Sequence, residues 1–218
     1  MRLPRVFIGL ALASSLVACS SPSPTPKIAC PTAAPTAAGA QQLLTDADRA
    51  VVKTNKGEFT MELYGSAAPI ATANFVALAR CGFYEGISFH RVLAGFVAQA
   101  GDPATKQNHG DFQGLGSGGP GYEFAIEPPD DSLGYDRYVV AMANDTQTNG
   151  SQFFIDLDDL NDRLARSYTI FGKVIAGTDV VDAIGALPVN DPQVGVPLDP
   201  AIIESIGIQA KPAASPAS

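Results

Sequence analysis

Arg91, Phe96 and Gln99 stand within nine residues of one another in the run Ser88-Phe89-His90-Arg91-Val92-Leu93-Ala94-Gly95-Phe96-Val97-Ala98-Gln99-Ala100-Gly101-Asp102. Bringing a guanidinium among strand-forming apolar residues is costly unless it has a task or a partner. If residues 89–92 and 96–99 form neighbouring strands, alternation sends Arg91 and Gln99 to one wet surface with Phe96 beside them. A cation, an amide and an aromatic ring on one rigid sheet make a binding floor. The same run would also suit a salt-bridged strand arginine without a function, and the segment alone does not separate the two.

A second run is Val140-Ala141-Met142-Ala143-Asn144, then, after a short gap, Thr148-Asn149-Gly150-Ser151-Gln152-Phe153-Phe154-Ile155. A strand ending at Asn144, a turn through Asn149-Gly150 and a strand from Gln152 would bring free backbone near the Phe154 ring and the Gln152 amide. Taken alone it suits a structural hairpin equally well.

The elements that must position these runs are legible in outline. Residues 50–54 and 58–63 read as strands around the turn Asn55-Lys56-Gly57, and 69–79 as a helix stopped by Gly82. Further strands are expected at 89–93, 96–100, 138–142, 152–156, 169–174 and 202–208, with a second short helix at 180–184. Many short strands with two helices predict a mainly β fold, a closed antiparallel eight-stranded barrel capped by two short α-helices.

Several motifs are decoys. Gly114-Leu115-Gly116-Ser117-Gly118-Gly119 matches G-x-G-x-x-G, but Pro120-Gly121 follows, so no helix can open to receive a pyrophosphate. It reads better as a loop whose missing side chains let a peptide backbone approach. Asp156, Asp158, Asp159 and Asp162 fail the calcium-loop pattern, with Leu160 and Asn161 at its fifth and sixth positions. His90 and His109 are the chain's 2 histidines and have no neighbouring cysteine, so metal catalysis is poorly supported. Ser117 and Ser151 lack nucleophile-elbow glycines. Asn144-Asp145-Thr146 and Asn149-Gly150-Ser151 are formal glycosylation sequons.

The N-terminus reads as a signal. Arg2 and Arg5 precede an apolar run, residues 6–18, too short to span a bilayer. Leu16-Val17-Ala18-Cys19 resembles the lipobox of bacterial lipoproteins, in which cleavage before the cysteine leaves it to carry the lipid; an ordinary secretory signal is the alternative. The expected organisation is a signal peptide at 1–18, a lipidated Cys19 with a Pro/Ser/Ala-rich tether over 19–47, one domain over 48–209 and a disordered tail over 210–218. With Pro22, Pro24, Pro26, Pro31 and Pro35 favouring extended geometry, residues 20–40 would reach roughly 60 Å at ~3.1 Å per residue. Loss of Arg2 and Arg5 takes Lys+Arg from 14 to 12 against 22 Asp+Glu, a net charge of −10. That balance argues against nucleic acid and against contact of the domain itself with anionic lipid. Of 3 cysteines, Cys30 and Cys81 remain beside Cys19; they can close one disulfide in an oxidising exterior or stand as unrelated thiols.

Taken together, the two runs resemble cyclophilin-type peptidyl-prolyl isomerases. The likeness is carried by Phe89-His90-Arg91, Gly95-Phe96, Gln99, Met142-Ala143-Asn144, Asn149-Gly150-Ser151-Gln152-Phe153-Phe154 and Phe171-Gly172-Lys173-Val174, in order across the domain. The resemblance implies a catalytic set of Arg91, Phe96 and Gln99. It implies a proline pocket lined by Phe96, Val97, Phe154 and Leu164, with Gln99, Asn144, Gln152 and backbone near Ala143 and Gly116 holding the peptide. No cofactor or metal is implied. Partners would be Xaa-Pro segments of unfolded or folding proteins, met by a monomer lipid-anchored outside the cytoplasm of a bacterium. The alternative is a proline-binding module of low turnover, anchored to the membrane.

The chain departs from many relatives at the pocket's far wall. It has no tryptophan, and Arg163 and Tyr168 occupy the places of a tryptophan and a histidine; Tyr168 is counted among the substrate-binding residues. Val97 stands where a longer methionine is common, so cyclosporin binding should suffer more than turnover. The segment from Asn144 to Thr148 is one residue shorter than the common form.

Overall fold

A computed structural model describes residues 28–107, 115–144 and 147–210. The expected signal segment with Cys19, His109, Gly114, the Asp145-Thr146 part of one sequon and the tail from residue 211 lie outside the described residues. The elements run α1 (Ala37–Leu43), β1 (Arg49–Thr54), β2 (Gly57–Leu63), α2 (Pro69–Arg80), β3 (Arg91–Leu93), β4 (Val97–Ala100), β5 (Phe124–Ala125), β6 (Val139–Asn144), β7 (Thr148–Asp156), β8 (Ile170–Ala176), α3 (Thr178–Gly185) and β9 (Ile203–Gln209).

Every ladder is antiparallel, in the order β3-β4-β7-β6-β8-β2-β1-β9, with β5 paired to the start of β7. Alternation decides what faces inward. On β2, Phe59, Met61 and Leu63 are buried while the residues between them are half-exposed. Phe75 of α2 meets Phe153 edge-on at 5.7 Å between centroids, and Phe153 in turn touches Phe89 and Phe171. This aromatic core sits inside the curve of the sheet, beneath α2.

The sheet is an open half-barrel, which corrects the expected closed barrel. Its end strands β3 and β9 share no ladder; only the isolated bridge Ser88–Ile202 and backbone bonds such as Phe89 N–H to Ala201 O (2.8 Å) draw the two ends together. The reason is local. Val92 N–H on β3 donates to Gly195 O at 2.6 Å, so a loop occupies the edge that closure would require. Gly195 has φ +83°, and a side chain there would press on Val92 O. The α-helices also number three among the described residues, where two were expected.

The extra helix, α1, falls inside residues read from composition as tether. Past Pro35, Thr36 caps the helix by accepting from Gly39 N–H (3.2 Å), and Ala40 is fully buried where α1 packs on α2. Cys30 is disulfide-bonded to Cys81 at the C-cap of α2, with the Cα atoms 5.1 Å apart. Docking and this cross-link order a stretch whose own sequence carries little apolar surface.

Helix α2 starts at Pro69 without a side-chain cap from its own chain neighbours. Glu127 supplies one from afar, accepting from Ile70 N–H (3.0 Å) and Ala71 N–H (2.7 Å). This carboxylate satisfies two otherwise unpaired donors at the positive end of the helix. Glu127→Ala is expected to lower unfolding free energy by about 1–2 kcal/mol in denaturant titration.

Candidate active site

The β3–β4 hairpin turns through Gly95 (φ +67°) and sets Arg91 directly opposite Gln99. The next ladder sets Gln99 opposite Phe154 and Val97 opposite Asp156. Residues opposite one another in an antiparallel pair point to the same face, so Arg91, Gln99, Val97, Phe154 and, two residues before it, Gln152 share one surface.

On that surface a chain of amides fixes the polar groups. Gln152 Nε2 donates to Gly118 O (2.8 Å), Gln99 Nε2 donates to Gln152 Oε1 (2.9 Å), and Arg91 Nη1 donates to Gln99 Oε1 (3.5 Å). Among the described residues Arg91 forms no ion pair with a carboxylate. A half-buried guanidinium held by one long bond to a neutral amide keeps nearly all of its donor capacity for a ligand. Among the described residues, Arg91 is thus not the salt-bridged strand arginine of the alternative reading.

Beside the cation lies an apolar floor. Phe154 and Val97 are buried in a cluster with Tyr135, Val139, Ala141, Leu160 and Ile170, and Phe96, Ala143, Leu164 and Tyr168 pack on it half-buried. The Tyr168 ring meets Phe154 edge-on at 5.3 Å. Tyr135 holds it there, its hydroxyl donating to Tyr168 O (2.9 Å) and accepting from Tyr168 N–H (3.1 Å). On the other side an open groove of about 700 Å³ is bordered by Gln99, Gly116, Ala143, Asn144 and Gln152. The structure thus brings the eleven expected catalytic and substrate-binding residues into one continuous surface. One detail differs in kind: the Asn144 amide donates to Ser167 O (3.0 Å), tying β6 to the loop that carries Tyr168.

Asp102 is a site residue that the sequence reading passed over. Fully buried, its carboxylate accepts from Ala104 N–H (2.8 Å), Gly116 N–H (2.6 Å) and Gly118 N–H (3.2 Å). It clamps the glycine loop so that Gly118 O can receive Gln152. A side chain at position 118 would collide with that carboxylate, which explains the glycine better than any ligand phosphate. The available signal was an Asp immediately before a proline at a strand end, a capping pattern. Asn74 of α2 braces the same loop, accepting from Tyr122 O–H (2.8 Å) and donating to Gly150 O (3.0 Å).

The remaining candidates do other things. Ser151 is buried and donates to Gly101 O (2.7 Å), a structural bond between β7 and the end of β4. His90 is buried, burial pushes its imidazole below the usual range, and neither ring nitrogen is hydrogen-bonded among the described residues. No group of three His, Cys, Asp or Glu among the described residues is placed to hold a metal ion. Asp156, on the same face as Phe154 and two residues further on, is fully buried, with both carboxyl oxygens unpaired among the described residues. Burial first, then the nearby charges of Asp136 and Asp159, push it up to about 8.

With this geometry in view, the comparisons with known proteins agree. A family model described as cyclophilin type peptidyl-prolyl cis-trans isomerase/CLD matches residues 49–208. The chain is 40% identical over 181 residues to peptidyl-prolyl cis-trans isomerase B of Streptomyces anulatus, covering 74% of this chain and 97% of that one. It is 42% identical over 180 residues to peptidyl-prolyl cis-trans isomerase A of Mycobacterium tuberculosis, covering 73% and 91%. Among solved structures, a cyclophilin-type isomerase of Cryptosporidium parvum superimposes with a TM-score of 0.66 at 34% identity, covering 76% of this chain and 99% of that one. The same protein solved in the presence of the dipeptide Ala-Pro gives 0.65 at 35% identity.

Proposed function

The chain belongs to the cyclophilin-type peptidyl-prolyl cis-trans isomerases, and on that premise we propose that it serves Xaa-Pro segments of folding proteins outside the cytoplasmic membrane, from a lipid anchor at Cys19. The observation that carries the substrate reading is Arg91, a guanidinium without a carboxylate partner among the described residues, fixed beside the Phe96–Phe154 floor. The presence of Ala-Pro with the Cryptosporidium relative supports the same substrate class.

The Xaa-Pro bond resists rotation by ~18–20 kcal/mol because the twist sacrifices amide resonance. Uncatalysed exchange takes tens of seconds or more, slow enough to limit folding. In the twisted state the proline nitrogen becomes pyramidal and gains a lone pair. A guanidinium donor aimed at that nitrogen stabilises the twisted state more than either planar state, which lowers the barrier. Arginine suits the task because it stays charged and planar. The apolar floor grips the ring while the groove along Ala143 and Gly116 holds the preceding residue, so one side rotates against the other. Every bond stays intact throughout, and the protein's own residues suffice for this path.

The placement outside the cytoplasm rests on the order of Arg2, Arg5, the apolar run and Leu16-Val17-Ala18-Cys19, and on the Cys30–Cys81 disulfide, a bond favoured in oxidising compartments. Two measurements test the proposal. NMR exchange on a Xaa-Pro peptide should show acceleration by the purified protein; tight binding without acceleration would leave a proline-binding module. Cys19→Ser should move the protein from the membrane to the soluble fraction, and retention in the membrane would remove the lipid anchor.

A further inference from the structure

Phe96 is a shared wall. It packs on the apolar floor of the proline pocket, and it also lines a second cavity of about 420 Å³ with Leu93, Ala94, Leu187, Val189 and Arg163. Arg163 is the one charged residue on that cavity's wall, among otherwise apolar side chains and the amide of Gln193. Its Nη1 donates to Gly95 O (2.8 Å) and its guanidinium lies 5.2 Å from the Phe96 ring centre, so the cation is held at the rim in a defined pose. Its ion pair with Asp158 is loose at 3.7 Å, and both side chains are about half exposed, at 49% and 58%. Such a pair is weak and can be displaced by a better-placed carboxylate.

We propose that this cavity, with Arg163 at its rim, is a specificity subsite for the residues that follow proline, taking an apolar side chain inside and a carboxylate on the guanidinium. The inference rests on the isomerase reading and deepens it. On that reading the groove at Ala143 and Gly116 takes the residue before proline; Phe96 packs on the apolar floor, does not border that groove and lines the second cavity, so the chain would leave the pocket on the Phe96 side. An extended chain advances about 3.3–3.6 Å per residue, which brings the first and second residues after proline to a cavity sharing that ring. The complementarity is that of an apolar hole with a single cation at its edge. In a domain with a large acidic excess, a fixed arginine there selects a local anion against the general field.

The test compares peptides Ala-Ala-Pro-Leu-Glu and Ala-Ala-Pro-Leu-Gln, both with amidated C-termini, by NMR exchange with the purified protein at ~0.15 M salt. Wild type should turn over the Glu peptide with a kcat/KM about threefold to fivefold higher, the scale of a half-exposed charge pair. Arg163→Gln should bring the ratio to one, and Asp158→Asn, which removes the competing carboxylate, should raise it above wild type. Equal rates for both peptides in wild type, or an unchanged ratio in Arg163→Gln, would overturn the subsite while leaving the isomerase intact. If Arg163→Gln fails to fold, the wild-type ratio and the direction of the Asp158→Asn shift decide. Acceleration of neither peptide would instead overturn the isomerase reading beneath it.

Discussion

Arg91→Ala is expected to lower kcat/KM for a Xaa-Pro peptide by about 10²- to 10³-fold, the usual loss when one preorganised donor to a transition state is removed. The geometry argues for a loss of that size and for its confinement to catalysis. Arg91 is half-buried, makes one long bond to a neutral amide and has no ion pair among the described residues, so folding stability has little invested in it. The variant should unfold within about 0.5 kcal/mol of wild type, as for an ordinary surface change. Arg91→Lys should recover part of the rate, because a point charge replaces a planar donor of fixed direction. Equal rates for wild type and Arg91→Ala would remove Arg91 from the reaction. Loss of rate together with loss of the thermal transition would reassign it to stability.

The second large effect concerns Asp156 and pH. In the unfolded chain an aspartate titrates near its ordinary value of about 3.9. In the folded protein burial holds Asp156 up to about 8, with Asp136 and Asp159 adding to the shift. Between these values the folded state keeps a proton that the unfolded state has released, so stability falls as pH rises. At about 1.4 kcal/mol per pH unit, the loss reaches about 4 kcal/mol between pH 4 and pH 7 and levels off above pH 8. Asp156→Asn, which resembles the protonated acid, should be free of this slope. Denaturant titrations at pH 4.5, 6, 7 and 8 should show the variant gaining on wild type at every step. Parallel curves would mean that Asp156 is already ionised in the native protein. Because Asp156 lies opposite Val97 and two residues from Phe154, its ionisation also places a charge, unpaired among the described residues, beside the apolar floor they form. Wild-type turnover should therefore decline above pH 8 while Asp156→Asn holds level.

Much of the site was legible because its parts are local. Arg91 and Gln99 are eight residues apart across a tight turn, and strand alternation alone places them on one face. Gln152 and Phe154 are two residues apart on one strand, and the same rule applies. The lack of tryptophan and the presence of Arg163 and Tyr168 were legible too; what Arg163 does was not. Its bond to Gly95 O spans 68 residues of chain, and the cavity it borders is assembled from β3, the turn leading to β4, the end of α3 and the segment after it.

The sequence by itself therefore determined the antiparallel β character and that Arg91 and Gln99, and likewise Gln152 and Phe154, share a face. Each follows from side-chain chemistry and a two-residue period that act within a few positions. Only the tertiary structure decided that the half-barrel stays open, because Gly195 takes the edge of β3. It alone joined Cys30 to Cys81, docked α1, set Asp102 under the glycine loop and left Asp156 dry and unpaired. These depend on which distant segments meet and how deeply they bury what they cover, and no local pattern of residues encodes that distance or that depth.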